Sequence, residues 1–340
     1  MAEGMYRIGI VGAASLLGKE LADELEGSLL AASDFVLLGD EAASDKVTAV
    51  ADEAAVIQPI EPGSFERMDF AFFAGEAEET SANWRTAQRA GAGIVDMTYA
   101  LEGENGVPVR APLVWQGLKG GRQEIDLTTP AVVAAHPAAV MLAVVGARIA
   151  AKLPVRYLAA TVFEPASEHG RGAMDELHQQ TVNLLSFHDL PKTEYDAQVA
   201  FNLLPSLGEE AKVALSGAEA RIAGHYMKLG TLPELALQLV QGPVFHGYTA
   251  SVLVELGEDA QVEDVEAALS GEGVDVVSEG SDPPSNLSAA GQEDIMVRVR
   301  AAGGRRFWLW MAADNLKLGA LNAIACALEL RKLRPRGKVQ

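Results

Sequence analysis

The chain has 340 residues, of which 49% are hydrophobic and 22% charged, with a formal net charge of −20. This length exceeds what one ordinary hydrophobic core covers, so we expect a soluble globular protein of two domains. The 27 basic and 47 acidic side chains disfavour nucleic acid and anionic membranes as partners, because both require positive charge facing phosphates.

Targeting and redox signals are sparse. The first residues lead into a strand-like run and a glycine turn rather than a secretory leader. The longest apolar run, residues 131–149, is interrupted by His136, Pro137 and Arg148, so we expect no span of a bilayer. The single cysteine, Cys326, excludes an internal disulfide and a cysteine-based zinc cage. We therefore expect a cytoplasmic protein.

The first third of the chain alternates apolar runs with a helical pattern. Strands are predicted at residues 7–12, 35–38, 69–73 and 93–96, with a helix at 16–29. Strand, helix and strand at this rhythm indicate a parallel sheet with right-handed crossovers. The prediction is an α/β, Rossmann-type, doubly wound N-terminal domain.

The second part has longer connections between its strands. The pattern predicts strands at 156–163, 248–256, 274–277, 295–301 and 307–311, helices at 172–185 and 218–229, and a loop at 280–291. This indicates an α+β domain with one mixed sheet. A final amphipathic helix at 314–333 is predicted, with Asp314 as its cap and a basic end that suits the helix dipole.

Five stretches resemble the aspartate-semialdehyde dehydrogenase family in order and spacing, a family related also to N-acetyl-glutamyl-phosphate reductase. They are the motifs GAASLLG at 12–18, MDELHQQT at 174–181, AFNLLP at 200–205, PVF with a glycine at 243–247, and DNLKLGA at 314–320. The resemblance implies a dinucleotide-binding Rossmann domain at 1–136 and a catalytic and dimerisation domain at 137–313. It also implies a C-terminal helix at 314–340 that returns to the Rossmann domain.

The family's reaction, as the resemblance implies it, requires a cysteine thiolate that forms a thioester, hydride exchange with NADPH and a histidine that moves the proton. The nucleophile's Asn-Pro-Asn-Cys turn matches His136-Pro137-Ala138-Ala139 here, so Ala139 replaces the cysteine. The family's histidine, glutamine and two arginines align with further replacements, namely Tyr248, Glu164, Gln241 and Glu102. We therefore assign no confident catalytic residue. Cys326 is expected to be a buried structural cysteine rather than a substitute nucleophile.

A rebuilt site is the alternative. His136 and His246 are its candidate residues, together with Glu164, Glu168 and His169. On a regular strand His246 and Tyr248 would face the same way. The compact spacing typical of metal sites is absent, so no metal is assigned.

The dinucleotide turn is a weakened fingerprint formed by six residues, which are Gly12, Ala14, Ser15, Leu16, Leu17 and Gly18. The resemblance implies glycine where Ser15 stands. A side chain there takes space and costs about 1–2 kcal/mol if φ must be positive. Against this, its hydroxyl has the chemistry to donate to phosphate, and the helix start offers free amides. Asp40 follows the second strand. At that place in a Rossmann domain a carboxylate accepts a hydrogen bond from the ribose 2′-hydroxyl, so a bound nucleotide would be NAD rather than NADP.

Two functions follow as hypotheses. The first is a catalytically degenerate aspartate-semialdehyde dehydrogenase-like protein, acting as a nucleotide-binding or partner-regulating dimer. The dimer is either a homodimer or a heterodimer with an active family member. The second is an NAD-dependent oxidoreductase with a rebuilt site, acting on an aldehyde related to aspartate semialdehyde in amino-acid biosynthesis.

Overall fold

The computed structural model describes residues 6–31, 34–39, 47–50, 53–61, 63–119, 124–126 and 128–333. The chain divides into two compact units. The first contains residues 1–112, 123–135 and 319–340, and the second contains residues 113–122 and 136–318.

The first unit is a parallel α/β layer. Its elements are β1 (Arg7–Val11), α1 (Leu16–Gly27), β2 (Asp34–Gly39), β3 (Val47–Val50), β4 (Glu53–Val56), β5 (Gln58–Pro59), β6 (Phe70–Phe73), α2 (Ala77–Arg89), β7 (Gly93–Asp96), β8 (Val109–Arg110) and β9 (Ala131–Ala134). Seven strands form one sheet in the order β5-β2-β1-β6-β7-β9-β8, and each neighbouring pair is parallel. The predicted Rossmann-type sheet is confirmed.

The central strands are fully buried and apolar except for Asp96 at the end of β7, as expected for a sheet covered on both faces. A separate antiparallel pair joins β3 and β4. The core of this unit includes Ile8, Ile10 and Phe72 from the strands and Leu21 and Leu25 from α1.

The second unit is built on a six-stranded mixed sheet. Its elements are a 3-10 turn (Pro112–Trp115), α3 (Pro137–Ala150), β10 (Val155–Glu164), a second 3-10 turn (Ala166–His169), α4 (Gly170–Leu185), α5 (Leu215–Lys228), β11 (Glu234–Gln241), β12 (Tyr248–Leu256), α6 (Val262–Leu269), β13 (Val274–Val276), α7 (Asn286–Ala289), β14 (Ile295–Gly303) and β15 (Arg306–Ala313). The strand order is β11-β10-β12-β15-β14-β13. The β10–β11 and β13–β14 pairs are parallel and the other pairs are antiparallel, which confirms the predicted mixed sheet.

Helices cover one face of this sheet, and the other face is partly exposed. Alternate residues of β10, β12 and β15 are buried, and α3, α5 and α6 pack on that side. Helix α3 is buried almost along its whole length, which explains its continuous apolar sequence. The opposite face is partly exposed, and its largest side chains are Trp308 and Trp310.

The last helix, α8 (Asn315–Leu333), begins where the sequence predicts it. The Asp314 carboxylate accepts hydrogen bonds from the backbone N–H groups of Leu316 and Lys317, so its predicted role as a cap is confirmed. From residue 319 onward the helix belongs to the first unit. There the buried Glu329 forms a bidentate ion pair with Arg110 of β8.

Several elements were not predicted from the sequence. They are strands β3, β4, β5, β8, β9 and β11 and helices α2, α3 and α6, and the short helix α7 lies inside the segment predicted as a loop. Among the helices that the structure describes, none combines the length and apolar character needed to cross a membrane.

Candidate functional site

Eight buried or nearly buried polar residues gather at one end of the mixed sheet, and we call them the polar cluster. They are His136, Glu164, Glu168, His169, His225, Gln241, Tyr248 and Asn315. Of these, Glu164, Gln241 and Tyr248 are 0% exposed. Buried polar groups need partners, so the contacts within the cluster determine what it can do.

Strand topology explains why these residues meet. The parallel strands β10 and β11 end at Glu164 and Gln241, which are register partners. The antiparallel strand β12 starts at Tyr248 at the same edge. Its register partner on β15 is Ala313, two residues before Asn315. Residues far apart in sequence therefore lie at one sheet edge.

His136 is the N-cap of α3 and is held as a neutral imidazole. Its Nδ1 accepts a hydrogen bond from the Ala138 N–H at 3.3 Å, so its proton resides on Nε2, which lies 3.3 Å from Glu168 Oε1. The backbone N–H of His136 donates a hydrogen bond to His225 Nδ1 at 2.9 Å. Burial, and then the proximity of His225, lower the pKa of His136 well below its usual value.

Glu168 is linked to Asn315, which also organises the neighbouring backbone. The Asn315 Nδ2 group donates to Glu168 Oε2 at 3.1 Å, and Asn315 Oδ1 accepts from the Gly247 N–H at 3.0 Å. Burial and the nearby Glu164 carboxylate raise the pKa of Glu168 to about 7, although the hydrogen bond from Asn315 opposes this. Glu168 therefore exchanges a proton near neutral pH, the range in which a general acid or base operates.

Glu164 and His169 form an ion pair, with Glu164 Oε2 and His169 Nε2 2.8 Å apart. Burial lowers the pKa of His169, but the charge of Glu164 and its hydrogen bond outweigh burial and raise it overall. The polar cluster thus contains one neutral histidine, His136, and one histidine that favours the charged form, His169.

Ala139 lies in the first turn of α3 and is 0% exposed. Its methyl group offers no electron pair to a carbonyl. Cys326 lies in α8, in the first unit, and is also 0% exposed, which confirms the predicted burial. Burial raises the pKa of its thiol to about 12, although Arg110 opposes this. A thiol held in that state is a poor nucleophile.

His246 lies outside the regular strand that contains Tyr248. Strand β12 begins only at Tyr248, and Gly247 between them has a φ of +82°, so the alternation of a regular strand does not extend to His246. Within the described part of the chain, the His246 side chain has no hydrogen bond or ion pair with the polar cluster. Strand geometry therefore gives no support for a shared face of His246 and Tyr248, and a role for His246 in a rebuilt site stays a prediction.

Histidine and carboxylate side chains such as these are common metal ligands. Over the described ranges, no group of three or more His, Cys, Asp or Glu side chains is arranged to hold a metal ion. Both imidazole nitrogens of His136 and the Nε2 of His169 are instead engaged by carboxylates and backbone.

The glycine turn of the first unit has the geometry of a phosphate-binding turn. Gly12 has a φ of +79°, and a Cβ there would lie 2.2 Å from the backbone of Gly75. A Cβ at Gly18 would lie 2.3 Å from the Gly12 carbonyl oxygen. Glycine is therefore needed at both positions for the close packing of the turn.

Ser15 is the N-cap of α1. The backbone φ of Ser15 is −66°, which is an ordinary value, so the energetic cost of a positive φ does not arise. Its hydroxyl donates to the Ala74 carbonyl oxygen at 2.7 Å and accepts from the Gly18 N–H at 2.8 Å. The hydroxyl proton is engaged by Ala74 in this structure, and donation from Ser15 to a phosphate stays a prediction.

Three partly exposed amides remain at the turn. The N–H groups of Ala14, Leu16 and Leu17 have no hydrogen-bond acceptor among the residues that the structure describes. Free amides at a helix start favour an anion, so the residues present fit a dinucleotide pyrophosphate. Asp40, on which the preference for NAD rests, lies outside the described residues.

Comparison with known proteins agrees with this architecture. Residues 7–139 match the semialdehyde dehydrogenase NAD binding domain, and residues 148–318 match the semialdehyde dehydrogenase dimerisation domain. The chain therefore belongs to the semialdehyde dehydrogenase family.

Individual relatives cover nearly the whole chain. A USG-1 protein homolog from Pseudomonas aeruginosa is 30% identical over 93% of this chain and 95% of its own. An aspartate-semialdehyde dehydrogenase from Bacillus subtilis is 27% identical over 98% of this chain and 99% of its own. The solved structure of a probable aspartate-semialdehyde dehydrogenase from Pseudomonas aeruginosa has a TM-score of 0.82 at 27% identity, and covers 99% of this chain and 100% of its own.

Sequence reasoning missed three residues near the site. Asn315 directly follows the predicted cap, inside a motif that carried the family resemblance, so a signal was available. His225 lies on α5 and Tyr195 in an irregular segment, and both reach the region only through tertiary packing. No local pattern identifies either residue.

Proposed function

We propose that this chain is a non-catalytic member of the semialdehyde dehydrogenase family that binds a nicotinamide dinucleotide and acts as a dimer. The observation that carries the proposal is chemical. The position that matches the family's nucleophile holds the buried methyl of Ala139, and the thiol of Cys326 is buried elsewhere, with a pKa of about 12. Without a thiolate the thioester step has no nucleophile.

The experiment is a turnover assay. Purified protein is tested for phosphate-dependent oxidation of aspartate semialdehyde, with NAD and NADP titrated separately. We expect no rate above the background without enzyme. Turnover by homogeneous protein contradicts the proposal, and Cys326→Ala then shows whether that thiol is involved. Binding of NAD in preference to NADP is measured on the same sample by cofactor fluorescence.

Dimerisation is supported by the match of residues 148–318 to the family's dimerisation domain. The partly exposed face of the mixed sheet, with Trp308 and Trp310 at 37% and 38% exposure, is the surface we propose for the contact. Large aromatic side chains on a flat face are typical of interface cores.

The dimer is tested by the native mass of the protein. Trp308→Glu places an unpaired charge in that face and is expected to shift the mass toward the monomer. Met227→Glu is the matched control, because Met227 is 73% exposed on α5, which packs on the opposite side of the sheet. A dimer that survives Trp308→Glu contradicts this interface. A pull-down from the native cell that recovers only this chain contradicts the heterodimer with an active family member.

The rebuilt oxidoreductase is a second candidate because one observation favours it. Glu168, with a pKa of about 7, contacts the neutral His136, which gives a buried acid–base pair. This candidate predicts NAD-dependent oxidation of an aldehyde that His136→Ala abolishes. Absence of NAD binding at millimolar concentration excludes it.

A further inference from the structure

Among the buried polar atoms of the second unit that have no hydrogen-bond partner in the described residues, three lie near the ends of β10 and β11. They are Glu164 Oε1, Gln241 Oε1 and the Tyr195 hydroxyl. All three residues are 0% exposed. An unpartnered buried polar atom costs about 1–3 kcal/mol, so three of them in one region favour the binding of a polar group there.

Glu164 and Gln241 are adjacent. They are register partners on the parallel strands β10 and β11, so their side chains emerge on the same face. The Gln241 amide also donates from Nε2 to the carbonyl oxygen of Glu164 at 3.0 Å.

Tyr195 lies in the same region. It packs in the apolar cluster that contains Ala166, two residues after Glu164. Burial raises the pKa of Tyr195, and among the neighbouring charges Glu164 contributes most. The same apolar cluster packs against Leu204, whose backbone pairs with that of Gln241, so Tyr195 lies near the ends of both strands.

The orientation of the Gln241 amide is fixed by its neighbours. Its Nε2 donates to two carbonyl oxygens, those of Glu164 and Gly242, each at 3.0 Å. A flipped amide would place Oε1 against both of these acceptors, which is unfavourable. The atom left free is therefore an acceptor, like the free oxygen of Glu164.

The free acceptor oxygens of Glu164 and Gln241 determine which chemical group can bind here. Two acceptor oxygens repel carboxylate and phosphate, and they require a group with at least two N–H or O–H donors. The surrounding charge is negative, because the buried Glu176 and the partly ionised Glu168 add to Glu164, whereas His169 is the cation in direct contact. We propose that Glu164, Gln241 and Tyr195 form a binding site for an ammonium group, carried by ammonium ion or by a small primary amine.

The inference goes beyond the proposed function and does not depend on it. The turnover assay and an ammonium titration have separate readouts, so either proposal can fail without the other. Water satisfies the same atoms without specificity, and a bare monovalent cation satisfies only the oxygens. These two occupants define the competing outcomes of the test.

The experiment compares thermal unfolding in chlorides of ammonium, methylammonium, potassium, sodium and tetramethylammonium at equal ionic strength. We expect a saturable increase in Tm of about 2–4 °C at roughly five times Kd with ammonium, and not with sodium or tetramethylammonium. A response to methylammonium as well identifies an amine site, and a response to ammonium alone identifies an ion site. An equal response to potassium, or the same Tm in all salts, overturns the proposal.

Variants assign the effect to these residues. Tyr195→Phe removes one neutral hydrogen bond and is expected to weaken ammonium binding about 2–10-fold, whereas Glu164→Gln removes the charge and weakens it by more than about tenfold. Tyr226→Phe is the matched control, since Tyr226 is also buried but its hydroxyl already donates to the Pro233 carbonyl oxygen at 2.9 Å. A bound 15N-ammonium resonance in the unmodified protein gives an independent readout if a variant fails to fold. Its absence at saturating ammonium contradicts the site.

Discussion

The glycine turn and the polar cluster have diverged to different degrees from what the family resemblance implies. The turn keeps its two close-packed glycines and three free amides, and its one replacement, Ser15, is accommodated as a cap. In the polar cluster the side chains differ from those that the resemblance implies, and they contact each other. Backbone amides provide binding geometry whatever the side chain, whereas covalent chemistry depends on one atom type. The proposed function therefore combines a retained nucleotide site with the absence of a nucleophile.

The largest effect is expected at the turn, from Gly12→Ala. The new Cβ would overlap the Gly75 backbone in a residue with positive φ, so we expect a loss of roughly 2–5 kcal/mol of unfolding free energy, together with loss of NAD binding. Urea denaturation and cofactor titration measure both. Gly27→Ala, in the same unit, is the control because nothing lies within 4 Å of its Cβ. If both variants behave alike, the turn does not need glycine.

The polar cluster should respond to pH instead. The pKa of Glu168 is raised from 4.5 to about 7, so its contribution to stability is complete below pH 4.5 and is lost as the pH rises through about 7. His169, whose pKa is also raised, acts in the same direction above pH 6.5. His136 opposes them, because its lowered pKa removes stability as the pH falls below 6.5.

Glu168→Gln separates these contributions. Relative to the unmodified protein, the variant should gain up to about 3 kcal/mol between pH 4.5 and 8, because the carboxylate no longer has to ionise in a buried site. Urea denaturation across this pH range provides the difference. Glu263→Gln makes the same charge change on the exposed surface of α6 and should run parallel to the unmodified protein. Parallel curves for Glu168→Gln would show that Glu168 does not titrate in this range.

The position of the missing nucleophile can be probed directly with Ala139→Cys in a Cys326→Ala background. Because residue 139 is 0% exposed, we expect the new thiol to react with a thiol reagent at least about 100-fold more slowly than in urea, and to restore no turnover. Ala151→Cys, at the exposed end of the same helix, should react at once. Fast labelling of residue 139, or recovered semialdehyde oxidation, would show that the cluster still supports a nucleophile.

Most of the fold, but little of the polar cluster, could be predicted from the sequence. Strand β12 and the cap at Asp314 were predicted at the right residues because alternation and capping are local signals. Strand β11 was missed although Leu235, Leu237 and Leu239 alternate at the period of a strand. His246 lies outside the strand because one glycine, Gly247, turns the chain immediately before it. Contacts such as that between His136 and His225 depend on helix packing, which no local pattern encodes.

The smallest effect is expected from Ser15→Ala, and it tests how far the turn tolerates side-chain change. Loss of the cap to the Gly18 N–H and of the bond to Ala74 should cost about 1 kcal/mol in urea denaturation. NAD affinity should change less than about twofold, because the hydroxyl proton is directed at the Ala74 carbonyl oxygen rather than at a ligand, and the free amides of Leu16 and Leu17 are kept. A tenfold weaker affinity would mean that the hydroxyl turns toward phosphate when nucleotide binds. The turn would then resemble the polar cluster, where side chains, and not the backbone, determine what is bound.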